Sequence, residues 1–103
     1  MIVQAVTTWR GTPEKIKSIV DNVGPSAEAH TSMGAKNPRF WRAMVGGDLA
    51  YAYYSIEFDS YEEYGRFTDK MMDSDFWTGM QDFINGGYPD IECISTDLYY
   101  SVI

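Results

Sequence analysis

Apolar and polar positions along the chain fall into two periods, and their alternation sets out the elements. Residues 2–10 (IVQAVTTWR) are rich in β-branched side chains and Trp, and predict a strand. Gly11-Thr12-Pro13 then starts a helix, with Thr12 as N-cap and Pro13 where a missing N–H costs nothing. Ile16, Ile19, Val20, Val23, Ala27, His30 and Gly34 follow at helical spacing. Gly24-Pro25 predicts a kink or brief break in that helix, and Gly34 its end.

Asn37-Pro38 opens a second strand over 39–46, and Gly46-Gly47-Asp48 turns the chain into a third over 50–58. Ser60-Tyr61-Glu62-Glu63 is a capping box. Tyr61, Tyr64, Phe67 and Met71, then Met80, Phe83 and Ile84, give the apolar face of the helical region behind it. Asp73-Ser74-Asp75 predicts that this region stops and restarts. Residues 91–102 close the chain as a fourth strand.

The order β-α-β-β-α-β predicts one α+β domain over 1–103 with a ferredoxin-like sandwich. Its two helices lie on one face of a four-stranded antiparallel sheet. The other face should be polar if it meets water. Alternation instead puts Tyr51, Tyr53, Ser55 and Glu57 there from strand three, and Cys93, Ser95, Asp97 and Tyr99 from strand four. Strand two has weaker alternation; the reading is Phe40, Arg42 and Met44 on the open face, with Trp41, Ala43 and Val45 inward. Strand one adds Gln4, Val6 and Thr8 to the open face. An aromatic face dotted with polar groups suits contact with a second sheet, so the chain is expected to pair with a copy of itself and enclose a cavity.

Composition narrows the partners. Eight basic residues against fifteen acidic ones give a net charge of −7, which argues against nucleic acid and anionic membranes. A single cysteine forms no internal disulfide and no multi-cysteine metal site. The N-terminal residues lack a secretory pattern, and no apolar run reaches about 18 residues, so a cytoplasmic chain without a membrane span is expected. No phosphate-binding, nucleophile-elbow or H-E-x-x-H motif occurs, and no cofactor is expected.

The pattern His30…Gly34-Ala35, Arg39-Phe40-Trp41-Arg42 and Gly46-Gly47 resembles uncharacterised, NIPSNAP-like and antibiotic-biosynthesis-monooxygenase-like members of the dimeric α+β barrel superfamily. Asp59-Ser60-Tyr61-Glu62-Glu63-Tyr64 and Ser74-Asp75-Phe76-Trp77 also sit where such chains begin helical segments. The resemblance implies a homodimer. It leaves the activity open among cofactor-free oxygenation, haem degradation, isomerisation and none, because fold does not choose function.

Three residues are candidates for acid–base chemistry. His30 is the only imidazole; its ordinary role on an apolar stripe is a hydrogen-bonded core residue. Glu57 and Asp97 become bases if burial raises their pKa, and otherwise belong to an ion-pair network. Arg42 is the candidate anchor for a ligand carboxylate, with Phe40, Met44, Tyr53 and Tyr99 lining a pocket for an apolar or aromatic molecule. The same aromatic surface equally fits plain dimer packing. Two functions therefore stand: a small-molecule binder, with a cofactor-independent monooxygenase or isomerase as its catalytic form, or a non-catalytic dimer with a filled core. The pocket is expected between the sheet and either the helices or the dimer partner, and a cavity of about 300 Å³ or more between sheet and partner favours the first.

Overall fold

A computed structural model describes all 103 residues. The chain runs β1 (Val3–Gly11), α1 (Pro13–Ser32), β2 (Lys36–Arg42), β3 (Tyr51–Phe58), α2 (Tyr61–Met72), α3 (Asp75–Gly87) and β4 (Ile91–Tyr100). The strands form one antiparallel sheet in the order β2-β3-β1-β4. This is the ferredoxin-like α+β arrangement, with its second helix divided in two. The division falls at Asp73-Ser74, where the sequence predicts a restart, and Ser74 Oγ caps α3 by accepting from Trp77 N at 3.4 Å.

The other helix signals act largely as read. Thr12 accepts from Lys15 N at 3.3 Å and Ser60 from Glu63 N at 3.1 Å. Glu63 does not complete a reciprocal box; its carboxylate pairs with Arg66 instead. Helix α1 is one helix through Gly24-Pro25, so of the expected kink or brief break the break does not occur. Gly34, at φ 112°, ends it in the left-handed region that a side chain disfavours.

Strand faces follow from the register. Val3, Ala5, Thr7 and Trp9 of β1 stand opposite Phe58, Ile56, Tyr54 and Ala52 of β3, and both sets face the helices. The central strands therefore have the parity read from the sequence. The outer strands have it only in part: Ser95, Asp97 and Tyr99 of β4 keep the open face and Thr96 and Leu98 the helix side. Phe40 pairs with Tyr54 and Arg42 with Ala52, so both belong to the helix side, while Trp41 faces away. The register slips between Lys36 and Arg39, and Asn37 has φ 49°. The strand ends at Arg42, leaving Met44 and Val45 in the following loop with over nine-tenths of their surface exposed. In β4 a register shift opposite Thr8/Trp9 makes Ile94 the extra residue, so Cys93 faces the helices and Ile94 is half-exposed.

The core is two small clusters. One gathers Ala5, Tyr54, Ile56, Phe58 and Phe67; the other Trp9, Ile16, Ala52 and Ile91. Only 13 of 103 residues are buried. The helices therefore do not close over the sheet, and space remains between the layers.

Gly11 sits where β1 meets the loop before β4. A Cβ there would lie 2.7 Å from the backbone oxygen of Asp90, an atom that cannot swing aside. Gly11→Ala is expected to destabilise the fold by about 1–3 kcal/mol, the usual cost of overpacking. Urea denaturation checks this, and an unchanged midpoint would contradict it.

Candidate functional site

The space between the layers is a cavity of about 680 Å³, partly open to solvent. Its floor is the helix-facing side of the sheet: Ala5, Thr7 and Trp9 of β1, Tyr54 and Ile56 of β3, and Cys93 and Thr96 of β4. One wall is α1. The other is α2 and α3, which present Phe67, Phe76, Trp77 and Met80. Seventeen of the 25 lining residues are hydrophobic, and none of the 25 is Asp, Glu, Lys or Arg.

The polar groups are few and ordered. Ser18, Asn22, Ser26 and His30 all line the cavity and recur every four residues on α1. Residues four apart share a helix face, so these four form one stripe along the wall. On the floor, the hydroxyls of Thr7 and Thr96 hydrogen-bond across β1 and β4 at 2.8 Å.

His30 stands at the enclosed end of the stripe. It is 8% exposed, and its Nδ1 lies 2.8 Å from the Tyr54 hydroxyl. Phe76 meets its ring edge-on at 4.7 Å between centroids, and Phe67 at 5.5 Å. Burial among these rings penalises the imidazolium and lowers the His30 pKa to about 4. Burial likewise pushes Tyr54 up to about 12, and Cys93, beside the other core cluster, has its thiol raised by its own burial. The pair is thus neutral at ordinary pH. No three His, Cys, Asp or Glu side chains lie close enough together to share a metal ion.

The residues named from the sequence divide between three places. His30 and Phe40 line the cavity. Tyr53, Glu57, Asp97 and Tyr99 lie on the opposite face of the sheet, as expected, and away from the cavity. There Glu57 accepts from Asn37 Nδ2 at 2.7 Å and pairs with Arg39 at 3.4 Å, so its carboxylate serves a network within the chain. Asp97 accepts from Ser95 Oγ at 3.1 Å. Arg42 and Met44 reach neither place: Arg42 is exposed at the end of β2, its Nη2 3.5 Å from the Leu49 carbonyl oxygen. The placement of Phe40, Arg42 and Met44 together on the open face is corrected accordingly. The sequence reading missed Tyr54 as a polar partner and missed the α1 stripe. The stripe's signal was present in the four-residue spacing of Ser18, Asn22, Ser26 and His30.

No protein-family model matches the chain, and no curated protein does. Its fold is shared with solved structures across nearly its whole length. A dimeric ferredoxin-like protein from an uncultured marine organism superposes with a TM-score of 0.70 at 11% identity, covering 99% of this chain and 96% of that one. A candidate antibiotic biosynthesis monooxygenase from Bordetella bronchiseptica gives 0.72 at 9% identity, covering 99% and 98%. An uncharacterised NIPSNAP domain protein from Burkholderia xenovorans gives 0.69 at 14%, covering 99% and 95%. These are the kinds of protein that the sequence resembles, and at such identities what they share with it is the fold. No helix is long and apolar enough to cross a membrane.

Proposed function

We propose that this protein binds a small, flat, mainly apolar molecule in the cavity between its helices and its sheet, and does so as a homodimer. The cavity carries the reading. Its volume of about 680 Å³ is within the range of small-molecule sites, and a few placed polar groups break an otherwise apolar wall. A filled core, as a purely structural dimer would have, is a poorer account of a sheet whose helix layer stands open.

The neutral fluorescent probe N-phenyl-1-naphthylamine tests it. Expected is enhanced emission saturating at one probe per chain. Ser26→Trp, which places a large ring on the cavity wall, should weaken binding at least tenfold without changing circular dichroism. No binding, or equal binding by the variant, would overturn the reading.

The dimer rests on the other face of the sheet. Trp41 is half-exposed there while its Nε1 donates to Ser55 Oγ at 2.8 Å, and Tyr53 and Tyr99 are also exposed. No element of the chain covers these rings, and one solved neighbour is described as a dimeric ferredoxin-like protein. Sedimentation at low micromolar concentration is expected to give twice the 11.7 kDa chain mass, with Tyr53→Lys shifting the species to monomer. A wild-type monomer at tens of micromolar would contradict this.

Oxygenation or isomerisation, if the protein performs either, would use the same cavity. Its only imidazole is held neutral by a pKa of about 4, which makes it a poor proton acceptor. Binding is therefore the function proposed.

A further inference from the structure

We propose that the cavity selects uncharged aromatic molecules bearing a carbonyl oxygen, which takes a hydrogen bond from His30 Nε2–H. The inference rests on the binding function just described and names the class of ligand it takes.

The first half comes from what the lining lacks. None of the 25 residues around the cavity is formally charged, and His30 is neutral there. A carboxylate or ammonium entering this space would shed water and meet no counter-charge, which is costly. The arginine that would receive an acid, Arg42, stands at the exposed end of β2 beside the Leu49 carbonyl. The chain's net charge of −7 adds a general bias against anions.

The second half comes from hydrogen-bond accounting at His30. The contact between Nδ1 and the Tyr54 hydroxyl admits two arrangements. If Nδ1–H donates to the phenol oxygen, the phenol proton has no acceptor in the protein and Nε2 presents a bare lone pair. If the phenol donates to Nδ1, Tyr54 has donated its proton and a single N–H on Nε2 is left over. The second arrangement wastes less, and buried polar groups rarely go unpaired. Every fully buried side-chain nitrogen and oxygen here has a partner, whereas Nε2 makes no hydrogen bond to the protein. Nε2 is therefore accessible, and His30 lines the cavity. An N–H donor at the buried end of an aromatic slot is complemented by an acceptor on a flat ring. Tyr54 acts as a positioning residue, since its hydroxyl decides which ring nitrogen carries the proton.

The experiment is displacement of bound N-phenyl-1-naphthylamine by two molecules of one skeleton: 1-acetonaphthone, a neutral ketone, and 1-naphthoate, an anion. The ketone is expected to displace the probe at least tenfold more effectively. His30→Phe keeps an aromatic ring and removes the donor. It should weaken the ketone roughly threefold to tenfold relative to the probe, the worth of one neutral hydrogen bond, with both affinities measured on the variant. His30→Gln, which restores an N–H, should recover part of the loss. If the probe binds and naphthoate displaces it as well as the ketone does, the selectivity is overturned while the binding function stands. If His30→Phe binds the ketone as tightly as the wild type, the role of Nε2–H is overturned. If the probe does not bind, the binding function itself fails and this inference with it.

Discussion

Phe58→Ala is expected to cost roughly 3–5 kcal/mol of stability, the range for removing a buried phenyl ring. Phe58 is 1% exposed and lies on β3, in the middle of the sheet. Its ring meets Tyr64 edge-on at 5.3 Å and Phe67 at 5.0 Å between centroids. These contacts hold α2 to the sheet, so the loss combines a large transfer term with a cavity that neighbouring strands cannot close. Only a few of the chain's side chains are this well packed, which leaves little to share the damage. Guanidinium denaturation with circular dichroism reads the change. A loss below about 1 kcal/mol would mean that Phe58 does not face the helices, and the parity of β3 would be wrong with it.

Acid is expected to destabilise the protein through His30. In the folded chain its pKa is about 4, below the ordinary 6.5 of an unfolded histidine. The unfolded state therefore binds a proton more readily, and stability rises with pH between these two values. The contribution is fully present above about pH 6.5, falls away as pH drops, and is lost by about pH 4. The gap corresponds to roughly 3 kcal/mol. Carboxylates titrate over part of the same window, so the comparison is between wild type and His30→Gln. The wild type should lose more stability than the variant between pH 7 and pH 4. Parallel profiles would mean that His30 is free to protonate in the folded state, and the enclosed end of the cavity would be wetter than described.

Much of the fold was legible because the central strands carry an unambiguous period. On β3, Ala52, Tyr54, Ile56 and Phe58 alternate with Tyr51, Tyr53, Ser55 and Glu57, and the burial of the first set follows that order. The helix starts at Thr12, Ser60 and Ser74 were equally readable, because each places a hydroxyl where free N–H groups need it. The outer strands were legible only in part, from Ser95 to Tyr99 of β4. In residues 39–46 both alternate sets mix apolar and charged side chains, so nothing in the period says whether Phe40 or Trp41 turns inward. A bulge such as the one at Ile94 adds one residue without changing composition, and it reverses the face of everything on one side of it.

The site was harder to read for a related reason. Sequence patterning finds the residues that can face a partner, and it marked the open sheet face. It does not reveal how closely a helix layer packs on its own sheet. The cavity is lined by serines and an asparagine of α1 set between its apolar residues, and by residues of α2 and α3. His30 was found as the lone imidazole, but its partner Tyr54 is 24 residues away and joined only by the fold.

The central claim is that ligands enter the helix-side cavity, and amide chemical-shift mapping with 1-acetonaphthone tests it most directly. Titrating the ketone into 15N-labelled protein should move resonances along one face of α1, at Ser18, Asn22, Ser26 and His30, together with Thr7, Tyr54 and Thr96. Shifts confined to Tyr53, Asp97 and Tyr99 on the opposite face, or no shifts at saturating ketone, would contradict it.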